Sequence, residues 1–321
     1  GLDSGERAGL KSKLEDRSPA AKARHLARAR AELAELKRIN RASLSPASRI
    51  DLDVVRYQVD RDVGGARFDY GQTSGRYAPY VLSQLTGAYR DVPDFLDSQH
   101  RVTSAADADA YLARLAELPR SIDQDVASQR EDAAKGVFAP DYILDTTLKL
   151  IAAFREQPAR ETVPVASFAR KLAAAGLSAD RAAKAEAIVT QGVFPALDRQ
   201  QALVTELRAK ASHDAGVWRL PDGKAYYTAA AEAATTAPLS GDEIHRLGLD
   251  QVAEISGRID AILKGQGMTK GTVGERLVEL NKRPDQLFPN TDPGREQLLA
   301  ALNAQIKAMY PRLPEVFSTL P

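Results

Sequence analysis

Apolar residues recur at three- and four-residue spacing through most of this chain, and residues that cap helices bound the runs. No other feature limits its fold as strongly. Ser18-Pro19 opens the first run. A serine hydroxyl accepts orphan backbone N–H bonds, and proline at the first helical position loses no hydrogen bond. Leu26, Ala29, Leu33 and Leu36 follow on one face towards Asn40. Ser45-Pro46 repeats the device ahead of Ile50, Leu52, Val54, Val55 and Val59. Gly64-Gly65 to Tyr80, with Gly71, Gly75 and Pro79, reads as a loop with the option of facing a substrate. Ser104 with Asp107 caps a helix that Pro119 is predicted to end or kink, and Gly136 closes the next one. Pro140 reopens the pattern with Ile143, Leu144, Thr147, Leu148, Ile151 and Phe154 on one stripe.

Helices are predicted over 163–175, with Gly176 as stop, and over 178–209, with a kink at Pro195. Pro221-Asp222-Gly223 has the residues of a tight turn, and helix resumes from Lys224 to Ala234. Ser240-Gly-Asp-Glu243 is a capping box for a helix that reaches Lys264-Gly265. Two shorter helices are expected near 272–282 and 294–309.

Composition agrees. Aromatics make up only 6%, and the straight-chain residues Ala, Leu, Arg and Glu lose little rotamer freedom in a helix. The expectation is an all-α, elongated multi-helix array. Its 321 residues form a single helical unit with a weak subdivision near 210–220. Lys+Arg 44 against Asp+Glu 43 leaves a net charge of +1, so no global field recruits nucleic acid. Arg24, Arg28, Arg30, Lys37 and Arg38 share their helix with Glu32 and Glu35 and read as a solvated face. No run approaches the roughly 20 apolar residues of a membrane span, so no transmembrane segment is expected.

The chemistry is bounded mainly by what the spacings do not provide. Cysteine is zero, which removes disulfides and thiolate sites. The four histidines, His25, His100, His213 and His245, are far apart in sequence, so no His-Glu-x-x-His helix exists to grip zinc. No Gly-x-Ser-x-Gly elbow and no Walker loop occurs. Two acids distant in sequence could still meet in a cleft without any local signal. The expectation is no catalytic residue and no metal ligand in this chain.

The segment most suited to binding is Trp218, Tyr226 and Tyr227 followed by Thr235-Thr236. Aromatic edges and hydroxyls beside an irregular loop suit a peptide-binding wall, and they suit a core anchor as well.

These same residues carry a resemblance. Gly216-Val-Trp-Arg-Leu-Pro-Asp-Gly-Lys-Ala-Tyr-Tyr227, Thr235-Thr236 and Leu239-Ser-Gly-Asp-Glu-Ile-His-Arg-Leu-Gly-Leu249 resemble the signature run of the bacterial family known as domain of unknown function 885. Pro79-Tyr-Val-Leu-Ser-Gln-Leu-Thr-Gly87, Asp91-Val-Pro-Asp-Phe-Leu96 and the Tyr111 to Pro119 helix fit its earlier blocks.

The resemblance implies a helical, exported protein of the periplasm or cell envelope, often lipid-anchored. It further implies a likeness to zinc metallopeptidases whose His-Glu-x-x-His box would lie beyond this chain. On that reading the chain is the N-terminal, substrate-cleft half of a metallopeptidase-like fold, a fragment inactive alone. Zinc is expected in the missing C-terminal half, and the partners are that half and a peptide substrate. Tyr226, Tyr227, Thr235, Thr236 and His245 are the substrate-cleft candidates, either touching substrate or supporting groups that do. The alternative is a helical scaffold or interaction protein without activity.

Overall fold

In the computed structural model, residues 9–72 and 77–318 are described, and they divide into two compact units at Gly241/Asp242. Gly75 of the expected 64–80 loop, the chain start and Pro321 lie outside the described residues.

The first unit is built from α1 (Pro19–Arg38), α2 (Pro46–Gly65), α3 (Ala88–Ser98), α4 (Ala105–Ala134), α5 (Asp141–Arg155), α6 (Val163–Ala174), α7 (Asp180–Ile188), α8 (Phe194–Arg208) and α9 (Gly223–Thr235). Then α10 (Gly241–Gly265) leads into the second unit, which holds α11 (Val273–Leu280) and α12 (Asp292–Met309). The only strand-like pairing among the described residues is one antiparallel bridge, Gln72 with Ala78. The protein is all-α.

The caps behave as their chemistry requires. The Ser18 hydroxyl accepts the Ala21 N–H at 3.2 Å, and that of Ser45 accepts the Ser48 N–H at 3.2 Å. Ser104 and Asp107 form a reciprocal capping box, and Gly136 and Gly176 take left-handed φ values of 81° and 64° at helix ends.

The longest helix, α4, is the axis of the first unit, with α3, α6, α7 and α8 packed along it. Tyr111, Leu115, Leu118 and Ile122 are fully buried on it, and the Tyr111 ring stacks on Phe168 at 4.4 Å. Pro119 neither ends nor replaces this helix: α4 runs through it to Ala134. An interior proline costs roughly 3 kcal/mol. Burial of the neighbouring apolar residues outweighs that cost, since each contributes about 1.5–3 kcal/mol. The partner of Pro119 is Gly192, where a Cβ would sit 3.1 Å from the proline ring.

Gly192 belongs to a π-helical turn, Val189–Val193, that joins α7 to α8. The Phe194 N–H reaches back to the Val189 carbonyl. A widened turn of this kind, rather than a simple kink, admits Pro195 at the start of α8.

A second stripe of α4 is polar and buried, and it anchors irregular chain. Asp125 accepts the Ala88 N–H at 2.6 Å and the Arg17 Nε–H at 2.8 Å. Gln129 accepts from the Leu82 N–H at 3.2 Å and donates to the Val137 carbonyl at 3.0 Å. Asp132 accepts the Gly71 N–H at 2.9 Å. The described residues of the segment after α2 form the irregular loop expected, but it is drawn inward, with Phe68, Tyr70 and Tyr80 buried. Gly71 is required there: its φ is +61°, and a Cβ would lie 2.6 Å from the Ala78 carbonyl oxygen.

In the second unit Thr272 and Glu275 form the capping box of α11, and the Thr291 hydroxyl accepts the Gly294 N–H at the start of α12. No helix among the described residues is long and apolar enough to cross a membrane.

Candidate functional site

The segment from Gly216 to Gly241 is assembled from tight backbone approaches. A single 3₁₀ turn, Val217–Arg219, precedes the Pro221-Asp222-Gly223 turn. Asp222 is left-handed at φ 52°, and a Cβ on Gly223 would lie 2.0 Å from the Val217 carbonyl oxygen. Only glycine closes that turn. Arg219 fixes the segment to the first unit by donating to the Phe138 carbonyl and, at 3.0 Å, to the Tyr80 hydroxyl.

Trp218 is 74% exposed, and its six-membered ring lies over Gly216, where a Cβ would come within 1.6 Å of ring carbon Cζ3. Tyr227 is 51% exposed, and its ring edge rests 2.9 Å from where a Cβ on Gly241 would be. Each ring is thus seated on a glycine and keeps a free face. Such rings supply apolar area together with a polar edge.

Adjacent residues on a helix point about 100° apart, which follows from 3.6 residues per turn, and α9 uses this to divide its two tyrosines. Tyr226 is 2% exposed, stacked on Tyr70 at 5.5 Å and edge-on to Phe68 at 5.1 Å and Tyr77 at 5.5 Å. Burial pushes its phenol pKa up, and its hydroxyl has no hydrogen-bond partner. Tyr70, whose hydroxyl donates to the Pro221 carbonyl at 2.8 Å, is pushed by the same desolvation to about 12. Tyr226 therefore braces the wall from behind, and Tyr227 faces outward.

Thr235 and Thr236 terminate α9. The Thr235 hydroxyl donates to the Ala231 carbonyl at 2.9 Å and accepts the Ala237 N–H at 3.3 Å. Thr236 adopts φ 57°, and its N–H returns to the Glu232 carbonyl at 2.8 Å. Both threonines are exposed. The Arg61 guanidinium on α2 donates to the Ala233 carbonyl at 3.4 Å in the same last turn. Of the five candidate residues, Tyr226, Tyr227 and Thr235 lie on α9, and Thr236 is its C-cap. His245 stands exposed on α10 in the second unit.

Trp218, part of the aromatic segment that the sequence marks for binding though not one of the five cleft candidates, is the most exposed aromatic ring of that segment. The available signal was the glycine two residues before it, which removes the side chain that would otherwise occupy the ring's seat.

The wall offers contact area and hydrogen-bonding edges and no proton-transfer pair. Among the described residues no three His, Asp or Glu side chains converge as a metal ion requires, so a zinc donor set does not fit them.

The fold and site together define an all-α helical array with an exposed, glycine-seated aromatic wall. The family described as bacterial protein of unknown function (DUF885) matches residues 3–321, and the chain belongs to that family. Among curated proteins none matches. The crystal structure of "the putative lipoprotein from Colwellia psychrerythraea" is similar, with a TM-score of 0.87 and 27% identity. The similarity covers 97% of this chain and 54% of that one, so the chain spans about half the length of this solved relative.

Proposed function

We propose that this chain is the N-terminal, substrate-cleft half of a longer helical, zinc-dependent peptidase-like protein. The observation that carries the reading is the pair of exposed rings, Trp218 and Tyr227, each seated on a glycine within one 26-residue segment that is otherwise firmly anchored. Exposed rings pinned by the backbone, rather than free to turn aside, are the kind of surface that recognition uses. An extended peptide, with side chains for the ring faces and amides for the ring edges, matches that chemistry.

Tyr227 touches the peptide, Tyr226 holds the Tyr227 helix in place, and Thr235 and Thr236 fix the end of that helix. His245, in the second unit, is proposed separately as a residue that contacts the peptide. On this reading zinc would be held by residues of the other half and would supply Lewis-acid activation there, while this chain's residues bind and orient the peptide. The relative's description as a lipoprotein supports an exported, lipid-anchored protein at the cell envelope.

Incubation with a peptide library tests the reading. The polypeptide of the whole gene is expected to cleave peptides and to stop when a chelator is added. The 321-residue chain alone is expected to cleave none. Cleavage by this chain in chelator, or neither cleavage nor peptide binding by the whole polypeptide, rejects the reading and leaves the scaffold alternative.

A further inference from the structure

The second unit is nearly coreless. Among its described residues Leu263 is the only buried apolar side chain, while α10 and α12 each expose an apolar stripe at helical spacing. On α10 these are Val252, Ile255 and Ile262, and on α12 they are Leu299, Leu302 and Ile306, all large and all exposed. Three-, four- and seven-residue spacings put such residues on one side of a helix, the pattern of a face that packs against protein. A unit of this size without a buried face of its own has too little apolar burial to offset its conformational entropy.

We infer that the α10 and α12 stripes are a docking surface for the remainder of the parent polypeptide. The solved relative indicates this occupant. This chain accounts for 54% of that longer chain, so the rest of it has no counterpart here and is available to cover both stripes. The inference rests on the chain being part of a longer protein, and not on that protein being a peptidase. Its consequence is that the second unit is completed only when the parent's other half is present.

Cysteine is zero in this chain, so single engineered thiols can report on the surface. Ile255→Cys and Leu302→Cys are made in the 321-residue chain and in the whole-gene polypeptide, with Ala183→Cys on the exposed side of α7 as control. Labelling by a maleimide is followed by mass spectrometry. At both test sites the whole polypeptide is expected to label more slowly than the short chain by about 100-fold or more, the protection given by a packed interface that must open first. The control is expected to label equally in both.

Equal labelling of the test sites in the two proteins overturns the inference. So does protection in the short chain that grows with its own concentration, which would assign the surface to a second copy. A reading frame that ends at Pro321 removes the longer protein itself and with it the proposed function. Equal labelling in a longer polypeptide removes only the docking surface.

Discussion

Arg114 donates through Nη1 to Nδ1 of His100 at 2.9 Å, and this one bond fixes the state of the only buried histidine among the described residues. A guanidinium has no acceptor to offer, so Nδ1 must present its lone pair and the ring must be neutral. The proton then sits on Nε2, which donates to the Asp107 carbonyl at 3.1 Å. The same guanidinium holds the N-terminal segment through the Lys13 and Leu10 carbonyls at 3.0 and 3.1 Å. Desolvation, reinforced by the positive charges of Arg114, Lys171 and Lys11, lowers the His100 pKa below 6.5, against the pull of the Asp107 carbonyl.

Stability should therefore fall with acid. A folded-state pKa below the unfolded one means that the unfolded chain takes up a proton first. This contribution is complete above the unfolded value near 6.5 and is lost as pH falls from there through the lower folded value. Urea midpoints measured from pH 7.5 to pH 5 should decline more steeply for the wild type than for His100→Gln. Parallel declines, or an NMR titration of His100 with a midpoint at or above 6.5, would contradict this.

Asp125 should be costly to remove. Gly87, at the N-cap of α3, has no side chain to accept an amide, so Asp125 reaches from α4 to accept the Ala88 N–H while pairing with Arg17. Asp125→Ala leaves a helix start without its acceptor and a mostly buried guanidinium with only the longer 3.8 Å pairing to Asp91, a loss of about 3–5 kcal/mol. Asp125→Asn keeps an acceptor for the amide and should lose clearly less. Chemical denaturation checks both, and equal losses would show that the cap contributes nothing.

The indole of Trp218 is the only one in the chain, so fluorescence reports on it alone. Gly216→Ala should displace the ring, because the added methyl would occupy its seat. A changed emission with an unfolding free energy within about 0.5 kcal/mol of wild type is expected of an exposed side chain. Unchanged emission would mean that the ring does not rest on Gly216 in solution.

For the cleft wall, Tyr227→Ala in the whole-gene polypeptide should raise KM for peptides without unfolding the protein, the signature of a residue that contributes binding. The exposed position of Tyr227 makes a folding defect unexpected, in contrast with Tyr226. An unchanged KM would remove Tyr227 from the wall.

Much of the fold could be read from local chemistry. Ser18, Ser45 and Ser104 announce helix starts, and Gly136 and Gly176 announce ends, because each cap acts within a few residues of itself. What escaped were features set by distant partners. Pro119 stays helical because the apolar residues around it are buried and Gly192 of the π turn leaves room for its ring, and that π turn replaces the expected kink at Pro195. The buried polar stripe of α4 and the His100–Arg114 pair join segments that no periodicity connects. At the candidate site the sequence pattern showed that Tyr226, Tyr227 and Thr235 share one helix, because the turn at Pro221-Asp222-Gly223 announces its start. Which tyrosine turns inward was not, since a phenol ring suits core and surface alike.

On the proposed function, the reactive centre lies outside this chain, in a longer polypeptide of which the chain forms the cleft wall. Zinc content after exhaustive dialysis, measured by plasma emission on the whole-gene polypeptide and on the 321-residue chain in parallel, tests it most directly. The account expects one tightly bound zinc per whole polypeptide and none on the 321-residue chain. Stoichiometric zinc on the 321-residue chain, or none on the whole polypeptide, would contradict it.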